Sequence, residues 1–178
     1  MGLFKKTDRR PEVTPDEIAE QIVKVLSSKN AQDELAKAIE KYPENEKQKV
    51  EFELKMLKVI GKSFAIRQAF EGTPEGKAIW KSFVKLLISE SPNIFNMTPG
   101  EISSILTDRM REYQEAWETP HPSGPFFMIG KVYAEHIGYP ESARVTFKGS
   151  IWFGGELNFT IPALKKIMTE YRIKLPDE

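Results

Sequence analysis

ENEKQKVEFELKMLKVIGKSFAIRQAF, residues 44–70, can be read in two ways, and the choice decides the fold. Val50, Phe52, Leu54 and Met56 alternate with Glu51, Glu53 and Lys55, which by period alone is a half-buried strand. The composition argues otherwise, because Glu, Lys, Leu and Met are good helix formers. Lys47–Glu51 and Glu51–Lys55 also stand four residues apart, as neighbours on a helix surface do. Beyond Met56 the alternation fails, with Leu57, Val59, Ile60, Phe64, Ala65 and Ile66 in quick succession. The segment is therefore read as one long helix, with a bend expected at Gly61. A helix apolar over most of its circumference belongs at the centre of a bundle.

Outward from it, Thr-Pro stands three times before a helically spaced run, at Thr14-Pro15, Thr73-Pro74 and Thr98-Pro99. Threonine can cap a first-turn N–H, and proline brings a helical φ without an N–H to satisfy. Glu17 and Glu101 complete capping boxes after Thr14 and Thr98. A helix over about 14–29 carries Ile18, Ile22, Val25 and Leu26. A second, recapped by Asn30, runs to Tyr42, where Pro43 ends it. Helices follow from Pro74 to Pro92 and from Pro99 through Trp117. Residues 118–125 form a proline-rich loop. Ser123 and Pro125 open a sixth helix, which Gly138 stops.

Residues 145–159 depart from this pattern. Gly149-Ser150 and Gly154-Gly155 suit two-residue hairpin turns, which would set Phe147, Trp152 and Leu157 side by side across three short strands. A last helix is then expected from Pro162 to about Lys174. The expected fold is mainly α, a single-domain helical bundle of about seven helices with a small antiparallel β-meander at 145–159, the alternative being all-α. Residues 1–13 are expected to form a flexible basic arm, and residues 14–178 the helical domain.

The 178 residues include 26 basic and 26 acidic side chains, 40% hydrophobic residues and no cysteine. A balanced charge speaks against nucleic-acid binding, which rests on neutralising phosphates. The absence of cysteine removes disulfides and thiolate chemistry and suits a reducing cytoplasm, the expected location. No apolar run reaches the roughly 20 residues of a membrane span, and residues 1–13 lack a signal-peptide core. Leu3 and Phe4 before Lys5, Lys6, Arg9 and Arg10 offer at most a weak tether to a membrane or partner.

No catalytic motif emerges. Gly61-Lys62-Ser63 matches only the tail of a phosphate-binding loop, since the glycine needed five residues earlier is Met56. It is read as a helical glycine with Lys62 in solvent. His121 and His136 stand fifteen residues apart, not at the i, i+4 spacing of a zinc helix. Asp108, Glu112, Glu115 and Glu118 share a helix with Arg109 and Arg111, as a solvated face does. No catalytic residue, metal or cofactor is assigned. The leading expectation is a non-catalytic interaction or regulatory domain that meets a protein partner through an aromatic and basic surface at 118–159. Its candidate residues are His121, Tyr133, Glu135, His136, Arg144 and Trp152. The alternatives are a ligand carrier or helical enzyme with a pocket near His136 and Arg144, and membrane attachment through Leu3, Phe4, Lys5 and Lys6.

Overall fold

A computed structural model describes residues 10–176, so the expected tether at Leu3, Phe4, Lys5 and Lys6 lies outside the described residues. The chain runs β1 (Glu12–Val13), α1 (Pro15–Leu26), α2 (Lys29–Ile39), α3 (Glu44–Phe70), α4 (Pro74–Ser89), α5 (Ser91–Phe95), α6 (Pro99–Glu118), α7 (Pro125–Ile137), α8 (Ala143–Glu170) and β2 (Arg172–Ile173). The fold is mainly α.

Residues 44–70 form the single helix that their composition predicts. The long apolar arc of α3 divides the core in two. Met56, Val59, Ile66 and Phe70 pack with α1, α4, α5 and α6. Leu54, Leu57, Ile60 and Phe64 pack with residues of α2, α6, α7 and α8. Propensity and burial thus agree, and the local alternation at 50–56 counts for nothing because Val50 and Leu54 pack into one cluster while Phe52 and Met56 pack into the other.

The caps explain where helices begin. Thr14 and Thr98 each accept from the N–H of Glu17 or Glu101, whose carboxylates accept from the threonine N–H, at 2.7 and 2.8 Å. Thr73 caps α4 without the return glutamate. α2 is capped by Ser28, two residues before the expected Asn30. Gly138, at φ +90°, closes α7 in the left-handed conformation.

The antiparallel meander expected at 145–159 is corrected. These residues lie within the 28-residue helix α8, which runs through Pro162. Val145, Gly149, Phe153, Leu157 and Leu164 all face inward, a helical stripe that hairpins would have scattered. Gly149 serves close packing against Gly130 of α7 rather than a turn. A Cβ on Gly130 would stand 2.1 Å from the Thr146 carbonyl oxygen, and one on Gly149 would stand 2.7 Å from the Tyr133 ring. Phe147, expected opposite Trp152, is instead exposed. Pro162 leaves the Asn158 carbonyl without its helical donor, but both residues are exposed, where water can serve.

The only sheet among the described residues is the parallel pair of β1 and β2, with Glu12 opposite Arg172 and Val13 opposite Ile173. The end of the expected arm is thereby joined to the end of α8. The Arg172 N–H donates to the Pro11 carbonyl at 2.8 Å, and Glu12 pairs with Arg172 and Lys174.

Candidate functional site

Helix α2 has only one fully buried side chain, Leu35, with Ala38 and Ile39 half-buried below it. So sparse an apolar stripe holds the helix to α3 along one edge and leaves its other flank unfilled. A groove of about 850 Å³ results, with α1 and α2 on one wall, α8 on the other and α3 as its floor. Val25, Leu26, Ala38, Trp152 and Phe159 supply its apolar lining. Phe159 is 64% exposed and Val25 42%, unusual for side chains of this size. At Lys37, Ala38 and Trp152 the groove continues into a smaller cleft of about 160 Å³, lined by Lys41, Tyr42, Tyr133 and Lys148.

The charges divide into two sets. On the floor, Lys62 is 3% exposed and reaches the Glu156 carboxylate at 2.7 Å, with Phe159 above it. Lys58 meets Glu34 at 3.2 Å and lies 5.5 Å from the Trp152 ring centre. These two are neutralised within the protein. The expectation of Lys62 in solvent is corrected: α8 crosses α3 at Gly61, where a Cβ would stand 2.8 Å from Glu156 Cβ, and that approach brings the carboxylate to the lysine. Ser63, completing the apparent phosphate-loop tail, instead accepts a hydrogen bond from the Trp80 indole at 2.8 Å.

The second set is unneutralised. Lys37, Lys41, Arg144 and Lys148 make no ion pair among the described residues. Lys148 lies 5.8 Å from the Tyr42 ring centre. Burial first, then the charges of Arg144 and Lys41, lower its pKa below the ordinary lysine value. Burial raises the Tyr42 hydroxyl above the usual tyrosine value, an effect that Tyr133 and the Arg144 charge partly offset and that the Glu46 charge adds to. A cationic end with an aromatic lining is thus built, and among the described residues no carboxylate lines it. An anionic group placed there would relieve the repulsion.

Of the residues expected at a site, Tyr133 and Trp152 line this groove, and Arg144 acts on its cationic end. The others go elsewhere. His121 stacks on Phe127 at 4.8 Å and accepts from the Ser123 N–H, fixing the proline-rich loop. Glu135 is exposed. His136 turns to α6, its Nε2 2.7 Å from Glu112. Glu112 also accepts from Arg109 at 3.1 Å, and Arg109 grips buried Glu53 of α3 through two bonds of 2.7 and 3.2 Å. This chain ties α3, α6 and α7 together. None of its members lines the groove, so His136 and Arg144 do not share a cleft.

Sequence reasoning missed Lys37, Lys41 and Tyr42. The i, i+4 pair Asp33–Lys37 reads as a self-satisfied helix face, and that ion pair does not form. A tyrosine before a proline reads as a helix stop and nothing more.

Among the described residues no group of three or more His, Cys, Asp or Glu is placed to hold a metal. No described helix is long and apolar enough to cross a membrane. Comparison with known protein families, with curated proteins and with solved structures gives no match.

Proposed function

We propose that this protein is a non-catalytic interaction domain that receives an acidic amphipathic helix of a protein partner in the groove between α2 and α8. The observation that carries the reading is the coincidence of exposed apolar side chains with unpaired cations along one groove. Val25, Trp152 and Phe159 offer contact to an apolar helix face, while Lys37, Lys41 and Lys148 await carboxylates at one end, with the Arg144 charge acting on Lys148 from outside the lining. Helix-in-groove recognition uses this combination of apolar anchors and charge at the rim. The surface overlaps the one expected at 118–159 through Tyr133, Arg144 and Trp152, and adds α2. A cysteine-free chain fits a reducing compartment, and we place it in the cytoplasm on that ground.

The test uses two fluorescently labelled synthetic helices with the same Leu/Trp face, one carrying glutamates and one lysines on its polar side. Anisotropy titration should give saturable binding for the acidic helix alone. Lys41→Gln with Lys148→Gln should weaken it about tenfold, about 1.4 kcal/mol. Trp152→Ala with Phe159→Ala should weaken it further. Equal affinity for both helices, or no effect of either double variant, would overturn the assignment.

A further inference from the structure

A second cleft shares no residue with the groove. It lies where α4 and α6 meet the C-terminal end of α3, and its volume is about 880 Å³, within the range of small-molecule sites. Phe64, Phe70, Trp80 and Trp117 form its apolar walls. Both tryptophans are half-buried, each with part of its surface left uncovered. Trp80 is fixed by its hydrogen bond to Ser63, and Trp117 is packed edge-on against Phe64 at 5.5 Å. These walls are therefore preorganised. Gly72, at φ +78°, has nothing within 4 Å of where a Cβ would stand, which keeps one side of the cleft clear.

The rim is of one sign. Arg67, Lys77 and Lys81 line the cleft and are exposed, and no carboxylate lines it with them. None of the three forms an ion pair among the described residues. Lys77 and Lys81 are one helical turn apart. Arg67 is held by the Gln114 side-chain oxygen at 2.8 Å through one of its nitrogens, leaving the rest of the guanidinium to a ligand. In a chain with equal numbers of acids and bases, three unpaired cations around an aromatic cleft select for charge as well as for apolar surface.

We propose that this cleft binds a small amphiphilic anion, its flat apolar body against Trp80 and Trp117 and its acidic group at Arg67, Lys77 and Lys81. The aromatic walls supply most of the contact area, and the cations decide which apolar molecules are retained. A neutral analogue keeps the first contribution and loses the second.

Two dyes of nearly identical shape separate these contributions: 8-anilinonaphthalene-1-sulfonate and its uncharged analogue N-phenyl-1-naphthylamine. Binding is followed by dye emission and by quenching of tryptophan fluorescence. The chain has three tryptophans, two in this cleft and one, Trp152, in the groove. In Trp152→Phe protein the sulfonate dye should still bind and quench the remaining emission. It should bind at least tenfold more tightly than the neutral dye. Lys77→Gln with Lys81→Gln, two exposed changes whose folding is checked by circular dichroism, should weaken the sulfonate dye at least fivefold and leave the neutral dye within twofold. Equal binding of the two dyes, an unaltered affinity in the lysine variant, or loss of sulfonate binding in Trp152→Phe protein would each overturn the proposal.

Discussion

Gly130 of α7 and Gly149 of α8 lie against each other where the two helices cross: a Cβ on Gly149 would stand 3.1 Å from the Gly130 Cα. A methyl on Gly130 would meet backbone on the far side, 2.1 Å from the Thr146 carbonyl oxygen, and backbone cannot swing aside. Alanine favours helix over glycine by about 1 kcal/mol, but here steric overlap wins. Gly130→Ala should cost about 3 kcal/mol or more and broaden the unfolding transition. Chemical denaturation gives the value; a variant as stable as the wild type would sink this account of the crossing.

Gly155 supplies the opposite sign. It lies within the same helix, with nothing within 4 Å of where its Cβ would be. Gly155→Ala should raise stability by about 0.5–1 kcal/mol, chiefly by restricting the unfolded chain. A shift of the melting temperature upward for Gly155→Ala and downward for Gly130→Ala is the expected pair of results. If residues 145–159 were a meander turning at Gly154-Gly155, Gly155→Ala would lower it instead.

Glu53 and Arg109 form an ion pair inside the protein, the carboxylate side chain only 4% exposed. Removing Arg109 leaves the buried Glu53 carboxylate unpaired, so Arg109→Ala should cost about 3–5 kcal/mol, and Glu53→Ala less, because Arg109 keeps Glu112 at 3.1 Å. Replacing both with methionine should cost much less than the sum of the single changes, since packing can substitute for the pair. A double-mutant cycle measured by urea unfolding checks this. Strict additivity would mean that the pair contributes no coupling.

The capping boxes make a prediction about acid. Hydrogen bonds from the Thr14 backbone and side chain hold the Glu17 carboxyl below its ordinary pKa of 4.5. Bonds from the Thr98 side chain and backbone do the same for Glu101. A depressed carboxylate pKa contributes stability above the unfolded value, and that contribution is lost as pH falls through the folded one. The stability gap between wild type and Glu101→Gln should therefore be widest near pH 7. It should shrink below about pH 4.5 and close once the folded carboxyl is protonated. A gap independent of pH from 7 to 3 would contradict the capping role.

In the groove floor, Glu156 neutralises a lysine that is 4% exposed at its side chain. Glu156→Gln should destabilise the fold by about 3 kcal/mol, and Lys62→Met by less, because the carboxylate it leaves unpaired is 15% exposed and can draw on water, whereas the lysine is 4% exposed. Thermal unfolding of the two variants ranks them. The reverse order would mean that Lys62 gains its stability from water rather than from Glu156.

The helical architecture was legible because it is written locally. Thr14, Thr98 and Gly138 act through their own neighbours in the chain, and the apolar content of residues 44–70 requires burial whatever surrounds it. The error at 145–159 came from glycine, whose missing side chain serves a tight turn and a close helix contact equally well. Residues 149 and 130 had to be seen together before the second use could be told from the first.

The starts of α1, α4 and α6, the end of α7 and the central place of α3 were determined by sequence alone, since capping, propensity and apolar periodicity are short-range properties. The groove and its charge were not. Asp33 stands one turn from Lys37 and Glu156 stands 94 residues from Lys62, yet the distant pair forms and the near one does not. Only tertiary packing decides which cations are neutralised and which remain for a partner, because a salt bridge depends on distance and burial in space, and helix crossings set both.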